Sequence, residues 1–263
     1  MPASYTHFLV AREGLKRLSK SLQAIATQHP TLYYFGAQGA DFCFFQPTIY
    51  RKEQNLGSFL HREGGFPAFE TLLDFSRWEE RALAYALGYV THYATDSTFH
   101  PYVYATAGNS TLRHTRLEHV LDVRFKKEYG IAVEDEAFLK KPNREEKELL
   151  FSIYTEIATS NRQSAPKKSD FLRAISLFNA HLAIPYTLFD GASAKFRSFI
   201  ANEEKRAWSY PSAQNIIRRD SAEELLAKSI RLAFSLCERF FESVSIGAPL
   251  PKSLFGKGFL TGI

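Results

Sequence analysis

Residues 86–103 read ALGYVTHYATDSTFHPYV, with His92, Asp96 and His100 spaced four apart and four apart again. In an α-helix each residue turns the chain by about 100°, so four residues overshoot one turn by about 40°. The three side chains therefore share one helix face. The apolar pattern around them predicts helix from about Phe69 to His100, in one piece or two, with Pro101 as its stop. At that helix end His100 is free to turn toward a different neighbour from the other two. Imidazole and carboxylate are ligands suited to zinc and related divalent ions. A single His-xxx-Asp pair is more often a surface ion pair or a capping bond than a ligand set, so the weight lies on how many such elements the chain carries.

Four more occur. His114 and Glu118 are again four apart, on a helix predicted over Leu112 to Tyr129; an imidazole one turn from a carboxylate is common in helical metal sites. Asp41 closes the turn-like string GAQGADF, which by itself reads as a turn or cap. His61 lies in SFLHREGG, and His7 lies near the start of the first helix. The two cysteines, Cys43 and Cys237, have no zinc-type spacing, so metal would fall to histidines and carboxylates. No GxSxG or Walker-type loop competes for the chemistry.

Helical periods dominate the rest. Val10, Leu15, Leu18, Leu22 and Ile25 predict one helix from Phe8 to Ile25, with Thr6 as its cap and His29-Pro30 as its end. Residues 31–67, rich in glycine, read as a long and mostly irregular segment with short helical turns. Residues 133–146, with Pro142, read as a charged connection, and helices are expected near 145–161, 168–200 and 221–244. Neither an internal repeat nor an alternation of strand and helix is visible. The expectation is an all-α fold with one helical domain over 1–246 and an irregular tail over 247–263.

The chain has 263 residues, 45% hydrophobic and 23% charged, which is the composition of a soluble globule. Its formal net charge of +5 favours phosphate-bearing partners weakly, because 33 basic residues face 28 acidic ones without a basic block. The N-terminal MPASYTHFLVAREG lacks the apolar core of a signal peptide, and no apolar run approaches the ~18 residues of a bilayer span. A cytoplasmic protein is expected. Phe66, Phe99, Tyr93 and Tyr102 lie near the ligand motifs, where core packing and a cleft lining are both open readings.

In the order of these elements the chain resembles the zinc-dependent phospholipase C family, a relative of the single-strand-specific S1/P1 nucleases. The shared pattern is His7, Asp41 in its glycine-rich turn, His61, then His92/Asp96/His100, then His114/Glu118; it covers about the first 120 residues. The resemblance implies a multi-helix phospholipase C/P1 nuclease-like bundle holding two or three zinc ions. Asp41, His61, His92 and Asp96 would hold one, and His100, His114 and Glu118 a second. His7 with the shared Asp96 would hold a third, and Asp41 would also be the catalytic base. Secreted members separate the helix Asp from the next His by six positions, against four here; the tighter spacing is similar to that of glycosylphosphatidylinositol-specific phospholipase D. Secreted members also use a processed N-terminal Trp as a ligand, whereas here Met1 and five more residues precede His7.

Such a cluster suits phosphate-ester hydrolysis, because divalent ions neutralise phosphoryl oxygens and bring the pKa of a bound water to about 7. The expected activity is hydrolysis of a phosphodiester, foremost in a phospholipid, with peripheral membrane contact and without a stable nucleic-acid partner. A nuclease or nucleotidase of the S1/P1 type and a non-catalytic metal-binding protein of the same fold are the alternatives.

Overall fold

The helix that carries the quoted segment, α6 (Glu80–Ala107), is the axis of the molecule, and every residue from Ala82 to Ser97 is buried. A helix apolar on all sides has to be surrounded. In the computed structural model, which describes residues 4–46, 55–63, 65–108, 110–130, 140–182 and 217–262, the other helices do this. They are α1 (Ser4–Leu15), α2 (Lys20–Gln28), α3 (Pro30–Gly36), α4 (Leu56–Arg62), α5 (Gly65–Ser76), α7 (Thr111–Tyr129), α8 (Arg144–Ser160), α9 (Lys168–Leu182), α10 (Ala222–Ile246) and α11 (Lys252–Phe255), with a 3₁₀ turn at Asp41–Phe45. Helices α10, α3, α5, α1 and α7 pack directly on α6. The described residues are helices and their connections, the all-α architecture expected.

Local chemistry explains several boundaries. Asn143 with Glu146 and Ser221 with Glu224 form capping boxes that start α8 and α10. Gly130 and Gly247 end α7 and α10 with positive φ. Where α3 crosses α6, a side chain at Gly36 or Gly88 would collide with the backbone of the other helix, so the close crossing depends on both glycines.

Four expectations are corrected. The helix predicted over Phe8–Ile25 is two helices: Gly14 weakens its last turn, and the Ser19 amide donates to Glu238 of α10, which redirects the chain. Thr6 does not cap from outside but lies within α1. The amides of Tyr5 and Thr6 and the Thr6 hydroxyl all donate to the buried Asp122 carboxylate of α7, so a residue far along the chain satisfies this helix start. The described part of 31–67 is mostly helical, and Gly36, Gly39, Gly57 and Gly65 serve close packing. Pro101 does not stop α6, which continues to Ala107 because Pro101, Tyr102, Val103 and Ala107 remain buried. Proline inside a helix costs about 3 kcal/mol, and this burial offsets it.

The predicted helix near 168–200 is described to Leu182; of the predicted connection at 133–146, residues 133–139 lie outside the described residues and 144–146 already belong to α8. The segment after Gly247 contains α11 and buries Leu250, Phe255 and Phe259 against the helices.

Candidate metal centre

All eight residues singled out in the sequence converge on the stretch of α6 from His92 to His100. His92, Asp96 and His100 project from one face of that helix, as their spacing required. α1 contributes His7, the 3₁₀ turn Asp41, α4 His61, and α7 His114 and Glu118. Seven are buried and His114 is partly so.

Asp96 is the hub. Its Oδ1 lies 3.2 Å from His7 Nε2. Its Oδ2 lies 3.5 Å from His61 Nε2, 3.3 Å from His92 Nε2 and 3.7 Å from His100 Nδ1. The two oxygens thus face different imidazoles, the disposition of a carboxylate that bridges two ions. Asp41 Oδ1 lies 3.1 Å from His61 Nε2. On the far side, Glu118 Oε1 lies 2.8 Å from His114 Nε2 and 3.5 Å from His100 Nε2. Three sets have ligand atoms within 4.8 Å of one another: His61/His92/Asp96, His100/His114/Glu118 and His7/Asp41/His92. The second set holds the residues of the expected grouping; the first lacks the expected Asp41, which falls in the third. In the third, His7 meets Asp41 and His92 as well as the expected Asp96.

His100 lies inside the helix rather than at its end, yet its ring still faces a different neighbour, Glu118 on α7. Of the aromatics near the motifs, Tyr93, Phe99 and Tyr102 are core residues, while Phe66 is partly exposed against Lys252.

Without metal, the charges balance one another. Burial alone would raise the pKa of Asp96, but His100, His92 and His7 hold it well below the usual carboxylate range. Glu118 is likewise buried, and His100 and His114 hold it low. Burial disfavours the imidazolium of His92 more than its carboxylate neighbours favour it, and its pKa falls to about 4. For His100 burial is outweighed by Asp96 and Glu118, which push it up to about 9. His7 and His61 also shift upward, burial being outweighed by Asp96 and Asp41 respectively.

Hydrogen bonding remains incomplete. Both Asp41 oxygens, Asp96 Oδ2, and Nδ1 of His7 and His92 are buried without a hydrogen-bond partner among the described residues. Leaving one such group unsatisfied costs about 1–3 kcal/mol. Nitrogen and oxygen donors at this spacing fit zinc, which would use these lone pairs. A further sign is the fixing of ring orientation: His61 Nδ1 donates to the Gly57 carbonyl at 2.7 Å, which leaves Nε2 for the centre.

Some contributors were not legible in the motifs. The Gly57 carbonyl and the Asp122 anchor carry no recognisable pattern. Gly39, in the string GAQGADF, has φ +58°, and any side chain there would overlap the His92 ring; the glycine-rich turn was visible, but its purpose was not.

Comparisons with known proteins agree with this geometry. No curated protein and no solved structure matches the chain. The family model described as zinc dependent phospholipase C matches residues 6–175, a span that holds all eight converging side chains. With well over half of the chain covered by that model and its zinc-type donor sets assembled around Asp96, the chain belongs to the zinc-dependent phospholipase C family.

Proposed function

We propose that the chain is a phosphoric ester hydrolase that cleaves a phosphodiester, foremost that of a phospholipid, by attack of water. The observation that carries this reading is Asp96, a buried carboxylate with imidazole nitrogens from α1, α4 and α6 within 3.7 Å and its two oxygens facing different rings. Asp41, His61, His92 and Asp96 would hold one zinc ion; His100, His114 and Glu118 would hold a second. His7, with Asp96 and the neighbouring Asp41 and His92, would hold a third. Bound zinc supplies neutralisation of the phosphoryl oxygens and an acidified water.

The protein's own groups do the rest. Asp41, whose oxygens have no hydrogen-bond partner among the described residues, would take the proton of the attacking water. Gly57 holds the His61 ring, and Asp122 holds the start of the helix that carries His7. No described helix is long and apolar enough to cross a membrane, so contact with a lipid substrate would be peripheral. A net charge of +5 favours an anionic ester over the neutral lipid surface itself.

The test is metal content per chain by elemental analysis after purification without added metal, followed by product analysis with phospholipid vesicles and with single-stranded DNA. Two or three zinc equivalents and release of a phosphorylated headgroup are expected. Cleavage of DNA alone would favour a nuclease of the related type. A chain that holds no zinc and cannot rebind it would refute the hydrolase reading.

A further inference from the structure

We propose that the C-terminal segment is a working part of the metal centre, with the Phe259 main-chain carbonyl as the positioning group for His100; this rests on the reading of His100 as a ligand. The segment lies beyond the span matched by the family model, which ends at residue 175.

The central contact is between His100 Nδ1 and the Phe259 carbonyl, 3.0 Å apart and buried. A carbonyl only accepts, so Nδ1 keeps its proton, and when the ring gives up its other proton the lone pair appears at Nε2, on the Glu118 side 3.5 Å away. Without that carbonyl the choice is open, because Asp96 Oδ2 lies 3.7 Å from the same Nδ1. Phe259 therefore assigns His100 to the Glu118 side of the centre. His61 is fixed in the same way by Gly57 of its own helix. For His100 the carbonyl comes from 159 residues away.

The segment is fastened where this role needs it. The Tyr93 hydroxyl donates to the Leu254 carbonyl and accepts from the Lys257 amide, both at 3.1 Å. The Phe259 ring packs on Tyr93 at 4.9 Å, on His61 at 5.5 Å and on His92 at 5.8 Å. It thereby separates the ligand rings from solvent on that side. Gly262, at φ +68°, lies against the Ser97 carbonyl, where a side chain would collide. Ser97 is four residues before Pro101, so its carbonyl is the one that the proline leaves without an intrahelical donor. The proline inside α6 and the glycine of the tail meet at one place.

Two measurements on the full-length zinc-loaded chain test this. Long-range ¹H–¹⁵N correlation on ¹⁵N-histidine protein is expected to show His100 protonated at Nδ1 and metal-bound at Nε2. Metal at Nδ1 would overturn the inference while leaving the hydrolase reading intact. The variant Gly262→Val, which forces the tail off the Ser97 carbonyl and keeps the Phe259 ring, is expected to bind the ion beside His100, His114 and Glu118 about 10- to 100-fold more weakly. It should keep the ion held by Asp41, His61 and His92. Unchanged affinity at both sites would also overturn the inference. An unmutated chain that takes up no zinc would remove the hydrolase reading, and this inference with it.

Discussion

From Ala82 to Val90, α6 fills the core with Leu83, Tyr85, Leu87 and Tyr89; from His92 to His100 the same helix, just as deeply buried, carries two imidazoles and a carboxylate. In the first stretch the polar tip of Tyr85 meets Tyr154 at 2.6 Å. In the second, His92 Nδ1 and Asp96 Oδ2 have no hydrogen-bond partner among the described residues, where in the first only the Tyr89 hydroxyl has none. The backbone and the burial are alike, so the difference is chemical. Apolar burial contributes stability at roughly 25 cal/mol per Å². Burial of ionisable groups costs stability unless something satisfies them. One stretch supplies the rigidity that lets the other persist in an arrangement useful for binding metal.

The largest expected effect comes from removing the hub. Asp96→Ala should lose most of the zinc and lower phosphoesterase activity by more than about 100-fold, beyond the cost of losing an outer-shell partner. Elemental analysis and turnover on the same preparation check it, and full metal content would break the contrast drawn here. His92→Ala should also lose metal and activity while sparing the ion beside Glu118.

The apolar stretch should behave in the opposite way. Leu87→Ala should lower stability by about 2–5 kcal/mol. Its zinc content per folded chain should not change, as read from the urea midpoint and elemental analysis together. Loss of zinc from the folded variant would mean that the two stretches are not separable.

The pH dependence sharpens the contrast. Burial opposes the His100 cation, but Asp96 and Glu118 outweigh it and push its pKa up to about 9, so metal-free His100 is protonated near neutrality. Zinc takes only the neutral imidazole. Loading near neutral pH should therefore release protons, and affinity should rise with pH toward about 9, about tenfold per unit for each proton displaced. Calorimetry in buffers of different protonation enthalpy measures the release; affinity independent of pH across that window would contradict it. The smallest effect is expected of Cys43→Ser. This thiol is buried, which pushes its pKa well up, and it belongs to none of the three donor sets. Zinc content should be unchanged; a loss would reveal a thiolate ligand.

Much of the centre was legible because spacing on a helix is a local property. His92, Asp96 and His100, or His114 and Glu118, share a face whatever surrounds them. Helix periods also placed α7, α8 and most of α10 within a few residues. Breaks were harder to read. The apolar period across Phe8–Ile25 continues through Leu18, which is buried in both the expected and the observed chain path, so the pattern could not reveal the turn. Pro101 was read by its intrinsic cost, and burial of the following turn outweighed that cost.

The sequence by itself determined the helical class, the types of the candidate donors and which of them sit on a common face, because these follow from residue chemistry and helix period. Only the tertiary structure decided that Asp96 meets four imidazoles, that Asp122 anchors the start of α1, and that Phe259 reaches His100 across 159 residues. Such contacts depend on how separate helices pack, and no periodicity within one segment encodes a partner in another.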